Sequence, residues 1–362
     1  MTGNMVGGLL QEAARRTDRV VEDLLVRVGG EAARVVGYQW GMWDHDGRPV
    51  PRGAPGRGKS IRAALAIASA RATGRPDGEP LVTAAACAVE LLHVLSLLHD
   101  DVMDGDAMRR GRPAAWRVFG AGAVESAVRT LTPRALDLVF DTAPSGGVRP
   151  RSAEALRAPA RVAGLLGHAV VRLSQGQALD LVLVLEREPR PEVSATLRVH
   201  ADKTGSLFSC ACAVGAAPAQ ADRLALFGEH LGVAFQIVDD LLGIWGDPAV
   251  TGKPAGSDLA ARKKSHPVVV ALAGGREGAD DAVSAALHTL FARPGPWTPQ
   301  RTRAARRLMN RSGARDRSRA AADEHGRAAL SALDGLGPLS GTEARGRGEL
   351  RALAGFVTAR AR

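Results

Sequence analysis

Residues 80–104 are the most apolar long stretch of the chain, and they end on aspartates: ELLHVLSLLHDDVMD. Strands usually stop near about eight residues, so a stretch of this length reads as a buried helix. On a helix, positions i and i+4 share a face, which projects Asp100 and Asp104 together, with Asp101 beside them. Carboxylates crowded at the end of an apolar helix are costly unless something neutralises them. A hard divalent cation does so well, because Mg²⁺ takes one or two carboxylates and keeps its other positions for water and phosphate oxygens.

A second pair, Asp239-Asp240, ends another apolar run, LGVAFQIVDD, with Asp247 further on. One such pair is as easily a solvated helix end. Two pairs, far apart in sequence and each closing an apolar helix, favour facing carboxylates that clamp metal. Cations follow both: Arg109, Arg110 and Arg112 after the first, and Lys253, Lys263 and Lys264 after the second, while Lys203 and Thr204 lie in HADKTGSL. Guanidinium forks and ammonium groups beside a metal-carboxylate centre suit a diphosphate.

The rest of the chain repeats the helical period. Helices are expected over 6–35 (one or two), 61–72, 80–104, 117–141, 153–187, 191–215, 219–245, 258–274, 300–334 and 345–360. Residues 142–152 are expected as a loop, and a Gly/Pro-rich segment fills 275–300. No repeat and no strand–helix alternation occurs, so one all-α domain over 1–362 is expected. Hydrophobic residues make up 45% of the chain, enough for a large core.

The formal net charge of +10 points to an anionic partner. Aromatics, at 4%, do not interleave with the arginines as a base-stacking surface requires, so nucleic acid is not expected. Cys87, Cys210 and Cys212 stand in small or apolar runs, with no zinc or disulfide spacing. The N-terminal stretch lacks the pattern of a signal peptide, and no apolar run reaches about 18 residues without a charge. A cytoplasmic protein with no membrane span is the expectation.

Gly53-Ala54-Pro55-Gly56-Arg57-Gly58-Lys59-Ser60 satisfies the pattern of a nucleotide-binding P-loop in full. That motif needs a buried strand immediately before it. Here WDHDGRPVPR precedes, polar and carrying Pro49 and Pro51, which suit no central strand. Lys59 and Arg62 read instead as neighbours on the first turn of a helix, where an N-terminus favours anions.

With these residues in hand, the chain resembles the polyprenyl synthetase family, the trans-isoprenyl diphosphate synthases that include geranylgeranyl diphosphate synthases. LLHDDVMDGDAMRRGRP resembles the family's first aspartate-rich motif, and FQIVDDLLGIWGDPAVTGKPAGSDL its second. The resemblance runs from about residue 35 to the end. It implies the all-α isoprenoid synthase fold, a bundle of long antiparallel helices around a central active-site cavity, usually as a homodimer. It implies a prenyltransferase that joins an allylic diphosphate to isopentenyl diphosphate by ionisation, condensation and elimination, with Mg²⁺, three ions per site.

By the same resemblance, Asp100, Asp101, Asp104, Asp239, Asp240 and Lys203 are the catalytic set, and Asp100, Asp104 and Asp239 hold metal. Lys59, Arg62, His93 and Arg110 match the grip on isopentenyl diphosphate. Arg109, Lys203, Thr204, Gln236, Lys253 and Lys263 match the contacts to the allylic diphosphate. Product length in the family is set partly by residues one to two turns before the first aspartates. At about 1.5 Å per residue, Leu95 and Ser96 lie roughly 6–8 Å back along the helix. Neither is aromatic, which favours a product of C20 or longer.

Three departures stand out. Gly243 occupies the third position of the second Asp-Asp-x-x-Asp pattern, and whether Asp247 compensates is open in the sequence. Arg57 precedes Gly58-Lys59 where the family has a second glycine. AVESAVRTL lacks the family's Gly-Asp pair. These features keep two rivals in view, a non-catalytic partner subunit of a prenyl synthase and a class I terpene cyclase. A cyclase would leave Lys59, Arg62 and His93 without a purpose.

Overall fold

The computed structural model describes residues 2–51, 56–76, 78–141, 153–185, 192–248, 255–274, 280–337 and 341–359. Helices dominate them: α1 (Thr2–Val28), α2 (Gly30–Trp40), α3 (Ile61–Ala72), α4 (Pro80–Asp104), α5 (Ala115–Phe119), α6 (Ala121–Asp137), α7 (Ala153–Leu185) and α8 (Val193–Val199). A π-helical turn, His200–Gly205, runs into α9 (Ser206–Gly215). Then come α10 (Ala221–Trp245), α11 (Ser257–Ala260), α12 (His266–Ala273), α13 (Asp281–Ala292), α14 (Pro299–Arg311), α15 (Ala314–Asp334) and α16 (Gly341–Ala359). One two-stranded hairpin pairs β1 (Met108–Arg109) with β2 (Arg112–Pro113).

α3 and α4 begin and end where the periodicity places them. Several boundaries differ. Helix resumes at Ala115 and breaks at Gly120, whose φ of 88° no ordinary helical residue adopts. The expected helix over 258–274 is two short ones. Arg262 between them has a positive φ (56°), which breaks the helical path. Pro267 opens α12 near its N-terminus, where its missing N–H costs nothing. Within 275–300, read as a Gly/Pro-rich segment, Asp280 caps α13 by accepting from the Ala282 amide at 2.8 Å. The loop expected at 142–152 lies outside the described residues.

The chain forms two compact units. The first comprises residues 1–170, 210–225 and 338–352. Its centre is α4, packed on α1, α3 and α6. α3 is buried on every side, and its small residues allow that close packing. α4 is long and apolar enough to cross a membrane, yet 78% of its most apolar window is buried inside the protein. Burial by neighbouring helices accounts for its hydrophobicity.

The second unit comprises residues 171–209, 226–337 and 353–362. Its hub is α12, which touches α8, α13, α14 and α15. Val268, Val270 and Leu272 of α12 join Ile244, Leu287 and Met309 in one core cluster.

Candidate active site

In the first unit, the end of α4 carries the aspartates into different surroundings. Asp100 is half-buried, Asp104 is exposed, and Asp101 is 1% exposed. Asp101 Oδ1 accepts from Arg109 Nε at 2.8 Å and also from Arg109 Nη2. Burial pulls the Arg109 guanidinium toward losing its proton, but the bonds to Asp101 outweigh this and raise its pKa. The hairpin places the arginines. Its two turn residues, Arg110 and Gly111, both have positive φ (50° and 77°), the geometry of a tight two-residue connection. Arg110 Nη1 then reaches Gly56 O at 3.3 Å, and Arg112 lies 4.2 Å over the Tyr38 ring.

Beneath Arg110 lies a buried charge cluster. Arg62 is 8% exposed and Glu90 6%. Burial pulls the Arg62 pKa down to about 10, with Glu90 opposing and Arg110 reinforcing the shift. Burial likewise pushes the Glu90 carboxyl up against the pull of Arg62. Glu90 Oε2 accepts from the Ala63 amide at 3.1 Å. His93 is held well below 6.5 by burial and then by Arg62, Arg110 and Arg109, so it is a neutral ring at pH 7.

Lys59 is exposed and precedes the helix. Ser60, at φ 50°, is the N-cap and Ile61 begins α3, so the expected place of Lys59 on the first turn is corrected by one turn residue. No described strand leads into this segment. An isolated bridge, Trp43–Pro49, stands there instead, which removes the P-loop reading, although residues 52–55 lie outside the described set. The departure at Arg57 has a local reason: its guanidinium lies 2.7 Å from Asp18 of α1, which also accepts from Trp40 Nε1 at 3.0 Å.

In the second unit, Asp239 is exposed and Asp240 is buried. Asp240 accepts from Gln236 Nε2 at 3.1 Å and from the His266 amide at 2.9 Å, and its Oδ2 lies 3.1 Å from His200 Nε2. Burial pushes its carboxyl up, but these donors outweigh burial and hold it below 3.8. Lys203 lies on the π-turn with its Nζ 3.1 Å from Asp180, and Thr204 Oγ1 donates to Gln236 Oε1 at 2.8 Å. Lys263 is half-buried, and its amide donates to Asp258 O at 2.9 Å. Lys253 lies outside the described residues.

The question of Gly243 has a structural answer. A Cβ there would stand 2.3 Å from Asp258 Oδ2, so the Asp258 carboxylate occupies the space that a third aspartate would need. Asp247 is exposed on the segment beyond α10. A carboxylate is thus present at the position, supplied from α11.

Among the described residues no three His, Cys, Asp or Glu side chains form a ready-made metal cage. The end of α4 nonetheless fits Mg²⁺. Asp100 and Asp104 stand four residues apart at its accessible end, beside the buried Asp101–Arg109 pair, and one or two carboxylates suffice when phosphate and water complete the shell. Sequence reasoning missed Glu90, Asp180, His200, Asp258 and the Asp18–Arg57 pair. An acid inside the apolar run marked Glu90. The others had no local signal, since their partners are distant in sequence.

The helix content and the packing define an all-α isoprenoid synthase fold. A solved polyprenyl synthetase from Streptomyces coelicolor A3(2) has a TM-score of 0.84 to this chain, at 34% identity, covering 97% of this chain and 99% of that one. A polyprenyl synthase from Caulobacter crescentus, complexed with calcium and isoprenyl diphosphate, has a TM-score of 0.72 at 26% identity, covering 98% of each. The polyprenyl synthetase family matches residues 52–292. Over 338 residues the chain is 39% identical to a geranylgeranyl diphosphate synthase of Mycobacterium tuberculosis, covering 90% of this chain and 88% of the relative. The chain belongs to the polyprenyl synthetase family, a family of prenyltransferases.

Proposed function

We propose that this chain condenses an allylic diphosphate with isopentenyl diphosphate to a linear trans-polyprenyl diphosphate of C20 or longer. The observation that carries the reading is the cluster of Arg62, Arg110 and neutral His93 over Glu90. It adds cations beyond Arg109, the one bonded to Asp101, and so offers a grip for a second diphosphate next to the first.

In this reading residues 1–362 work as one catalytic domain, as a homodimer in the cytoplasm. Asp100, Asp104 and Asp239 hold Mg²⁺, three ions per site, and Asp101 fixes Arg109. When bound, Mg²⁺ neutralises the allylic diphosphate and stabilises its negative charge as it leaves. Arg109, Lys203, Thr204, Gln236, Lys253 and Lys263 orient that diphosphate and meet the charge that develops on it. Lys59, Arg62, His93 and Arg110 seat isopentenyl diphosphate, with His93 donating a hydrogen bond as a neutral ring. The allylic C–O bond breaks, the double bond of isopentenyl diphosphate forms the new C–C bond, and the departed diphosphate takes the proton released. No side-chain nucleophile is required.

Chain length follows from the helix behind Asp100. Leu95 is 2% exposed, and Ser96 turns its hydroxyl back to donate to His93 O at 2.8 Å, so neither places a ring at this level. The similarity to a geranylgeranyl diphosphate synthase supports C20. The test is product analysis with dimethylallyl, geranyl and farnesyl diphosphates plus isopentenyl diphosphate, with and without Mg²⁺. Products of C20 or longer, formed only with Mg²⁺, are expected. Products stopping at C15 overturn the length, and no condensation with any primer overturns the activity.

A further inference from the structure

His200–Gly205 is the one π-helical turn among the described residues, and it carries Lys203 and Thr204. Such turns are rare, collect at functional sites, and persist only where the surroundings hold them. Several ties hold this one. Arg172 of α7 lies 2.9 Å from Asp202, and Lys203 lies 3.1 Å from Asp180. Gly176 lets the α7 backbone press directly on the turn, since a Cβ there would meet Lys203 N at 2.6 Å.

The remaining ties form a closed ring. Thr204 donates to Gln236, Gln236 donates to Asp240, and Asp240 bonds His200, which returns along the turn to Thr204. Both members of each i, i+4 pair, 200 with 204 and 236 with 240, are therefore locked to the other pair. A carboxylate only accepts, so His200 Nε2 carries the hydrogen. Its Nδ1 is buried with no partner, which leaves the bond to Asp240 as the polar anchor of a ring only 4% exposed.

We propose that His200 is a positioning residue of the allylic-diphosphate site: its bond to Asp240 closes the ring that fixes where Lys203 and Thr204, on the π-helical turn, stand against α10. This rests on the proposed condensation, because only there do Lys203 and Thr204 have a diphosphate to meet. The bond runs from a ring N–H to a charged acceptor, so its loss is worth about tenfold in an affinity.

The experiment compares wild type with His200→Leu, His200→Gln and His200→Asn. Gln places an amide nitrogen where Nε2 lies, Asn does not reach it, and Asn gives a polar variant should Leu fail to fold. Steady-state kinetics give separate KM values for the two substrates, and amide hydrogen exchange follows the peptide over residues 200–206. His200→Leu and His200→Asn are expected to raise the KM for the allylic diphosphate about tenfold. The KM for isopentenyl diphosphate should stay within twofold, exchange should quicken over 200–206, and His200→Gln should restore both readouts. Unchanged allylic KM, equal rises in both KM values, or no rescue by Gln overturns the proposal. If wild type makes no prenyl product while exchange still quickens in Leu and recovers in Gln, the condensation reading falls and the anchoring of the turn stands.

Discussion

The two aspartate pairs divide their labour in the same way but with different partners. In each, one carboxylate is buried, Asp101 in the first unit and Asp240 in the second, while Asp100 is half-buried and Asp104 and Asp239 are exposed. Asp101 spends its hydrogen bonds on Arg109, itself a candidate diphosphate contact. Asp240 spends its bonds on Gln236, the His266 amide and His200, which shape the backbone around Lys203. The first pair positions a cation directly. The second positions the turn that bears one.

The largest effect expected separates exposed from buried aspartates. Asp100→Ala and Asp104→Ala should each lower kcat about 10²–10³-fold, the scale for removing one group that stabilises developing charge. Asp101→Asn should instead raise the allylic KM, because Asn holds Arg109 less tightly. Incorporation of labelled isopentenyl diphosphate measures both, and equal losses in kcat for all three would erase the distinction between ligands and the Arg109 anchor.

Next comes pH. Burial, then His200, hold the His266 pKa down to about 4 against an ordinary 6.5. The unfolded chain therefore binds its proton first as pH falls. The stability is complete above 6.5 and is lost progressively down to about 4, on the order of 3 kcal/mol at most. Urea unfolding at pH 7 and pH 5 should show His266→Gln losing less stability between them than wild type. His93 in the first unit shifts the same way, so His93→Gln should add to the effect.

Gly243→Ala sharpens the comparison within the second unit. Its Cβ must displace the Asp258 carboxylate, at a cost of about 1–3 kcal/mol by thermal unfolding. Pairing it with Asp258→Gly should recover most of that stability. The last effect falls on a buried ion pair of the first unit. Asp18→Asn should loosen Arg57 and the segment bearing Lys59, costing about 1–3 kcal/mol and raising the KM for isopentenyl diphosphate a few-fold.

Much of the fold was legible because α3 and α4 are so apolar and so long that few alternatives exist. The ends of α4 and α10 follow closely from periodicity, which is local. What was not legible lies where two distant segments meet. In the sequence Gly243 reads as a missing third aspartate, whereas Asp258 fills its space, and Arg57 reads as a departure from the family motif, whereas Asp18 lies against it. α13 was hidden in a Gly/Pro-rich context that its Asp280 cap overrides.

By itself, the sequence determined a helical chain with two acidic helix ends and cations close behind each, because charge beside a long apolar run constrains both burial and chemistry. Only the tertiary structure decided which aspartates are buried and which are more accessible. Sequence spacing places Asp100, Asp101, Asp239 and Asp240 alike. The partners that set them apart, Arg109 on a hairpin and His200 and His266 on other helices, are brought in by packing alone.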